Sequence, residues 1–142
     1  MDTKELYREI LNEHNINPSH KIQMDSPTIE LEGVNPSCGD QIKLQLKIDD
    51  NGIITDASYI GDGCAISQAS VDMMADLVIG KSKEYALELA AIFDRMIKGQ
   101  VSDEELEKLD EAASLQDISH MPARVKCAML GWRTMKEMLG LK

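Results

Sequence analysis

Hydrophobic positions recur along this chain with two different periods, and the changeovers between them mark its elements. Between Thr3 and His14, Leu6, Tyr7, Ile10, Leu11 and His14 repeat at helical spacing, and Asn17-Pro18 ends the pattern, which predicts a short leading helix. From Thr28 the period drops to two. Ile29 and Leu31 alternate with Glu30 and Glu32, then Ile42, Leu44, Leu46 and Ile48 with Lys43, Gln45, Lys47 and Asp49, as in strands buried on one face. Asn51-Gly52 is a hairpin turn signal, and Ile53 to Ile60 returns as a third, less regular strand, so an antiparallel sheet is expected.

After Gly63 the period becomes helical and stays so. Ile66, Ala69, Met73 and Leu77 mark one face of a helix ending near Gly80. Tyr85, Leu89, Phe93 and Met96 mark the next, entered at Ser82 and closed by Gly99. Ser102-Asp103-Glu104-Glu105 matches a capping box and opens a partly exposed helix carrying Leu106, Leu109 and Ala113. Met121-Pro122 begins the last helix, whose apolar side is Val125, Met129, Trp132, Met135 and Leu139. The expected fold is α+β, a three-stranded antiparallel sheet packed against a layer of helices.

Length and charge narrow the partners. A chain of 142 residues without repeat or linker is expected to form a single domain over 1–142. Fifteen Lys and Arg against 25 Asp and Glu give a net charge of −10, so nothing attracts phosphate backbones or anionic lipid, and nucleic acid and membrane are excluded as partners. Met1 to Ile10 mixes charges where a signal peptide needs an apolar core, and no run approaches the ~20 apolar residues of a membrane span, so a cytoplasmic protein is expected. Met73, Met96, Met129 and Met135 fall on core stripes and read as packing rather than as metal ligands. Partners should be proteins or metal ions.

The candidate chemistry lies in three cysteines, Cys38, Cys64 and Cys127, with Asp40 beside the first. Three thiolates and a carboxylate complete a four-coordinate zinc shell or one side of an iron–sulfur cluster. The odd count argues against a disulfide framework, and a chain of this length buries a core without one. Cys38 and Asp40 flank a glycine turn, Cys64 follows Gly61-Asp62-Gly63 at a helix start, and Cys127 lies in the last helix three residues after Arg124, whose charge there would favour the thiolate. Spacing leaves open that the cysteines are simply small buried hydrophobes, since no Cys-x-x-Cys knuckle is present. His14, His20 and His120 show no arrangement with a cysteine that would make a hydrolase.

Local context goes further. Asn35-Pro36-Ser37-Cys38-Gly39-Asp40, Gly61-Asp62-Gly63-Cys64-Ala65-Ile66-Ser67 and Pro122-Ala123-Arg124-Val125-Lys126-Cys127 resemble the three signature stretches of the U-type iron–sulfur assembly proteins, IscU, SufU and the NifU N-terminal domain. Tyr7 and His14-Asn15-Ile16-Asn17-Pro18 resemble that family's entry motif, so the likeness covers nearly the whole chain. It implies that Cys38, Asp40, Cys64 and Cys127 bind zinc or hold a nascent [2Fe-2S] cluster, on a three-stranded sheet packed against helices. Scaffold-type members carry histidine before the third cysteine and Leu-Pro-Pro-Val-Lys upstream. Here Lys126 and Met121-Pro122-Ala123-Arg124-Val125 stand there, and the stretch at approximately 93–118 resembles the insertion of the SufU branch.

The SufU resemblance implies a zinc-dependent sulfur acceptor, a sulfurtransferase partner of a SufS-type pyridoxal-phosphate cysteine desulfurase that hands sulfur to downstream iron–sulfur assembly proteins. Cys38, on a glycine-flanked loop, is the expected persulfide carrier, with Arg124 in support and Asp40 as the weaker, more labile ligand. The alternatives are a scaffold on which a [2Fe-2S] cluster is built and transferred, and a zinc-stabilised interaction module without transfer chemistry.

Overall fold

A computed structural model describes residues 3–140; Met1, Asp2, Leu141 and Lys142, the outer ends of the chain, lie outside the described residues. The leading helix α1 runs Thr3–Ile16 and stops where Asn17-Pro18 predicts. Strands β1 (Ile29–Asn35), β2 (Asp40–Ile48) and β3 (Ile54–Asp62) form an antiparallel meander in the order β1-β2-β3. Leu44 pairs with Leu31 and Tyr59, and Leu46 with Ile29 and Ala57, which puts one apolar face of the sheet in the core. The turn before β3 is held by Asp49, whose Oδ1 accepts from the amides of Asn51 and Ile53 at 2.9 and 3.0 Å.

Helices α2 (Ala65–Val78), α3 (Lys83–Ile97), α4 (Asp103–Lys108) and α5 (Pro122–Gly140) follow, with a 3-10 segment at Asp110–His120 between the last two. Ser82 caps α3 by accepting from the Tyr85 amide at 3.1 Å, and Ser102 and Glu105 form the expected capping box of α4. Phe93 and Trp132 stack with centroids 4.5 Å apart, joining α3 to α5. No helix among the described residues is long and apolar enough to cross a membrane.

The structure corrects three readings of the pattern. The helix expected to carry Leu106, Leu109 and Ala113 ends at Lys108. Asp110 adopts a φ of 50°, a left-handed conformation that aspartate tolerates, and Ala112 bonds back to the Leu109 carbonyl at 2.9 Å in 3-10 fashion. Helix α2 is not buried along one stripe but on nearly every side, with Ser67, Gln68, Ser70 and Asp72 as inaccessible as Ala69 and Met73, because α1, α5, the sheet and the 3-10 segment all pack on it. Gln45, in the solvent-facing register of β2, is also buried: the chain after α1 crosses it, and the Met24 amide donates to Gln45 Oε1 at 2.9 Å.

The order and register of the meander position the chemistry. Because β1 ends at Asn35, β2 begins opposite it at Asp40, and β3 ends opposite Gln41 at Asp62, the Cys38 turn and the Cys64 junction emerge at the same end of the sheet. Helix α5 starts there too, packed on β1 and α2, which brings Cys127 to that end.

Candidate metal centre

Each cysteine arrives from a different element. Cys38 sits on the β1–β2 turn, where Gly39 has a φ of 70° that side-chain-bearing residues rarely adopt. Cys64 is the N-cap residue of α2, and Cys127 lies in the second turn of α5. All three are free thiols; Cys38 is exposed, Cys64 half-buried and Cys127 buried. Cys127 Sγ is 3.1 Å from Cys38 Sγ, and the donor atoms of Cys38, Asp40 and Cys127 lie within 4.8 Å of one another. The Cys64 side chain acts on the same group, pushing the Cys127 thiol pKa up.

Asp40 is fully buried and engaged at both oxygens. Oδ1 accepts from the Cys64 amide at 2.7 Å, and Oδ2 from Asn35 Nδ2 at 3.2 Å. Asn35 Nδ2 also lies 3.7 Å from Cys127 Sγ. The carboxylate is thus held at both oxygens, and the Cys38 sulfur is the exposed one. Burial pushes the Cys127 thiol pKa up, and the neighbouring Cys38, Cys64 and Asp40 side chains push it the same way. Such a group becomes a thiolate only beside a compensating cation, so the donor set fits a metal ion: soft sulfurs supported by one carboxylate, on three elements converging at one end of the fold.

Arg124 lies in the first turn of α5 and is exposed. Its charge also acts on Tyr7 of the leading helix. The Tyr7 phenol pKa is raised by burial, lowered by the Arg124 charge, and raised further by Asp117 and Cys64. Sequence reasoning gave no role to Asn35, Ser67 or Gly63. Ser67 Oγ donates to the Cys64 carbonyl at 3.0 Å, and a Cβ at Gly63 would lie 2.4 Å from Ser67 Oγ and 2.8 Å from Asp40 Oδ1. Asn35 was discoverable as the hairpin partner of Asp40.

Residues 6–128 match the family of NifU-like N-terminal domains. The chain belongs to that family. Among its relatives, the zinc-dependent sulfurtransferase SufU of Bacillus subtilis is 39% identical over 133 residues, 93% of this chain and 88% of that protein. The iron–sulfur cluster assembly scaffold protein IscU of Streptococcus pyogenes is 44% identical over 133 residues, 93% of this chain and 81% of that protein. A crystal structure of a protein assigned as the SUF-system cluster assembly scaffold of Fervidobacterium islandicum AW-1 superposes with a TM-score of 0.86 at 31% identity, covering 97% of this chain and 99% of that one. The U-type resemblance of the three cysteine stretches and the α+β fold expected with it are both borne out.

Proposed function

We propose that this NifU-like family member serves iron–sulfur cluster assembly as a zinc-dependent sulfur acceptor for a SufS-type cysteine desulfurase. The observation that carries the reading is the contrast between the two adjoining sulfurs: Cys38 is exposed on a turn, while Cys127, 3.1 Å away, is buried in a helix. A ligand set needs both; a sulfur acceptor needs one that a partner enzyme can reach. Similarity to the B. subtilis zinc-dependent sulfurtransferase along 93% of the chain supports the same reading.

Cys38, Asp40 and Cys127 would hold the zinc, with Cys64 completing the shell. When bound there, zinc holds the cysteines as thiolates at neutral pH. Freed from the metal by movement of its turn, the Cys38 thiolate would attack the terminal sulfur of the desulfurase persulfide. The donor's S–S bond breaks, its cysteine leaves as a thiolate, and the transferred sulfur keeps its proton as Cys38–S–SH, ready for downstream assembly proteins. Asp40 and Asn35 keep the sheet end and Cys127 in register while the turn moves. Free cysteines and this chemistry belong in a reducing compartment such as the cytoplasm.

The scaffold reading remains second, favoured by the 44% identity to the S. pyogenes IscU scaffold and by a donor set equally able to hold a [2Fe-2S] cluster as cargo. Two measurements on protein purified without air decide between them: zinc content, and alanine release by a SufS-type desulfurase with and without this chain. Zinc near one equivalent together with faster turnover is expected. Iron uptake into a stable cluster with no change in turnover favours the scaffold.

A further inference from the structure

A second group of metal-ligating side chains lies away from the cysteines, where α1, α2 and the 3-10 segment meet. His14 is buried, with 6% of its surface exposed, and both ring nitrogens are engaged: Nδ1 with Asp72 Oδ2 at 2.6 Å and Nε2 with Glu111 Oε1 at 2.9 Å. Asp72 is fully buried, and the amides of Ser19 and His20 donate to its carboxylate at 3.3 and 3.0 Å. Those bonds fix the carboxylate, and the carboxylate fixes the ring, so Nε2 is turned toward the surface.

At that surface a ring nitrogen of His14, a carboxylate oxygen of Glu111 and one of Asp76 lie within 4.8 Å of one another. His20 Nε2 approaches Asp76 Oδ1 at 2.5 Å. The side chains of Glu111 and Asp76 are 49% and 47% exposed, which leaves them free to adjust, whereas His14 is not. Behind them the fully buried Tyr59 hydroxyl lies beside Asp72, and burial together with that carboxylate pushes its pKa up.

We propose that His14, Asp76 and Glu111 form a second metal site, for a divalent ion of the zinc or cobalt class. The arrangement has the features such sites share: an imidazole donor whose inner nitrogen is held by a buried carboxylate, two further carboxylates converging on the imidazole, one of them already bonded to its outward nitrogen, and a second histidine orienting the other. One imidazole with two carboxylates suits borderline ions better than magnesium or calcium, which prefer oxygen alone. Metal–nitrogen bonds of about 2.0–2.1 Å place donors of a tetrahedral ion about 3.3 Å apart, within reach of small rotations of the exposed carboxylates. An ion held by these three side chains would staple the leading helix to α2 and the 3-10 segment.

The test adds Co²⁺ to protein whose cysteine site is already filled with zinc, comparing the native chain with the double variant Asp76→Asn, Glu111→Gln, whose changes are at the surface and spare the buried His14. The native chain is expected to retain one additional equivalent after dialysis, with weak visible bands free of thiolate charge transfer and with paramagnetic shifts on the His14 and His20 ring protons. The double variant is expected to retain none. Equal retention by both proteins, no retention by either, or cobalt absorption carrying thiolate charge transfer would each overturn the site. Because the readout is metal content and spectrum at nitrogen and oxygen donors, it is independent of whether Cys38 accepts sulfur.

Discussion

The backbone amide of Cys64 donates to Asp40 Oδ1 at 2.7 Å, tying the first residue of β2 to the cap of α2. That bond closes the N-terminus of a helix with a carboxylate from another element and locks two of the candidate ligands into one unit.

Asp40→Ala should therefore cost stability as well as metal. It strips partners from the half-buried Cys64 amide and the buried Asn35 Nδ2, and the loss is expected to be about 1–3 kcal/mol in denaturant unfolding. Gly63→Ala should act on the same unit without touching a ligand. Its methyl group would meet Asp40 Oδ1 at 2.8 Å and Ser67 Oγ at 2.4 Å, so faster zinc loss to a chelator is expected, with a destabilisation of about 1–3 kcal/mol. Wild-type zinc retention in Gly63→Ala would show that the Asp40 position has slack.

The elements themselves were legible because each is written in a period: two for β1 and β2, 3.6 for α3, with Ser82, Ser102 and Pro122 punctuating the starts. What was not legible is how polar groups pair across the chain. Asp72 looks like a solvated residue of an amphipathic helix, yet it is buried because His14, 58 positions earlier, and the amide of His20 come to it. Gln45 alternates as a surface residue should and is covered by a segment whose sequence carries no period. The cysteine stretches pointed to one end of the sheet, but the roles of Asp40 and Cys38 depend on burial, which local sequence does not encode.

Ser70 links the helices that carry Cys64 and Cys127. Its Oγ donates to the Ala128 carbonyl at 2.7 Å and accepts from Trp132 Nε1 at 3.1 Å, all in the core. Ser70→Ala should leave the indole N–H buried and unpaired, lowering stability by about 1–3 kcal/mol and blue- or red-shifting the emission of the single tryptophan. Unaltered stability with an unaltered Trp132 spectrum would mean that a water replaces the hydroxyl.

Arg124 separates an electrostatic role from a folding one. It is exposed, so Arg124→Ala should keep the fold and the metal content. Since Arg124 lowers the Tyr7 pKa against the effect of burial, removing it should raise that pKa further, readable from the Tyr7 ring signal in an NMR titration. With the desulfurase, the variant is expected to lose stimulation while binding zinc normally. A Tyr7 titration identical to wild type would remove the contact, and unchanged stimulation would leave Arg124 as a surface charge.

The accessible sulfur makes the last prediction. Incubation of the zinc-loaded chain with cysteine and a SufS-type desulfurase, followed by mass spectrometry of peptides, should find the added sulfur on Cys38, because its turn moves without unwinding a helix. Cys127 is buried beneath it, and its displacement would disturb α5 where that helix packs on α2 and β1. Cys38→Ser should abolish the adduct while leaving the fold intact, since the side chain is exposed and its contacts are to Cys127 and the Ala123 carbonyl. Cys127→Ser should instead lower both zinc content and melting temperature, as metal binding and folding are coupled through that buried ligand. An adduct confined to Cys127, or a [2Fe-2S] cluster formed with no adduct on any cysteine, would reverse the order of the two functional readings.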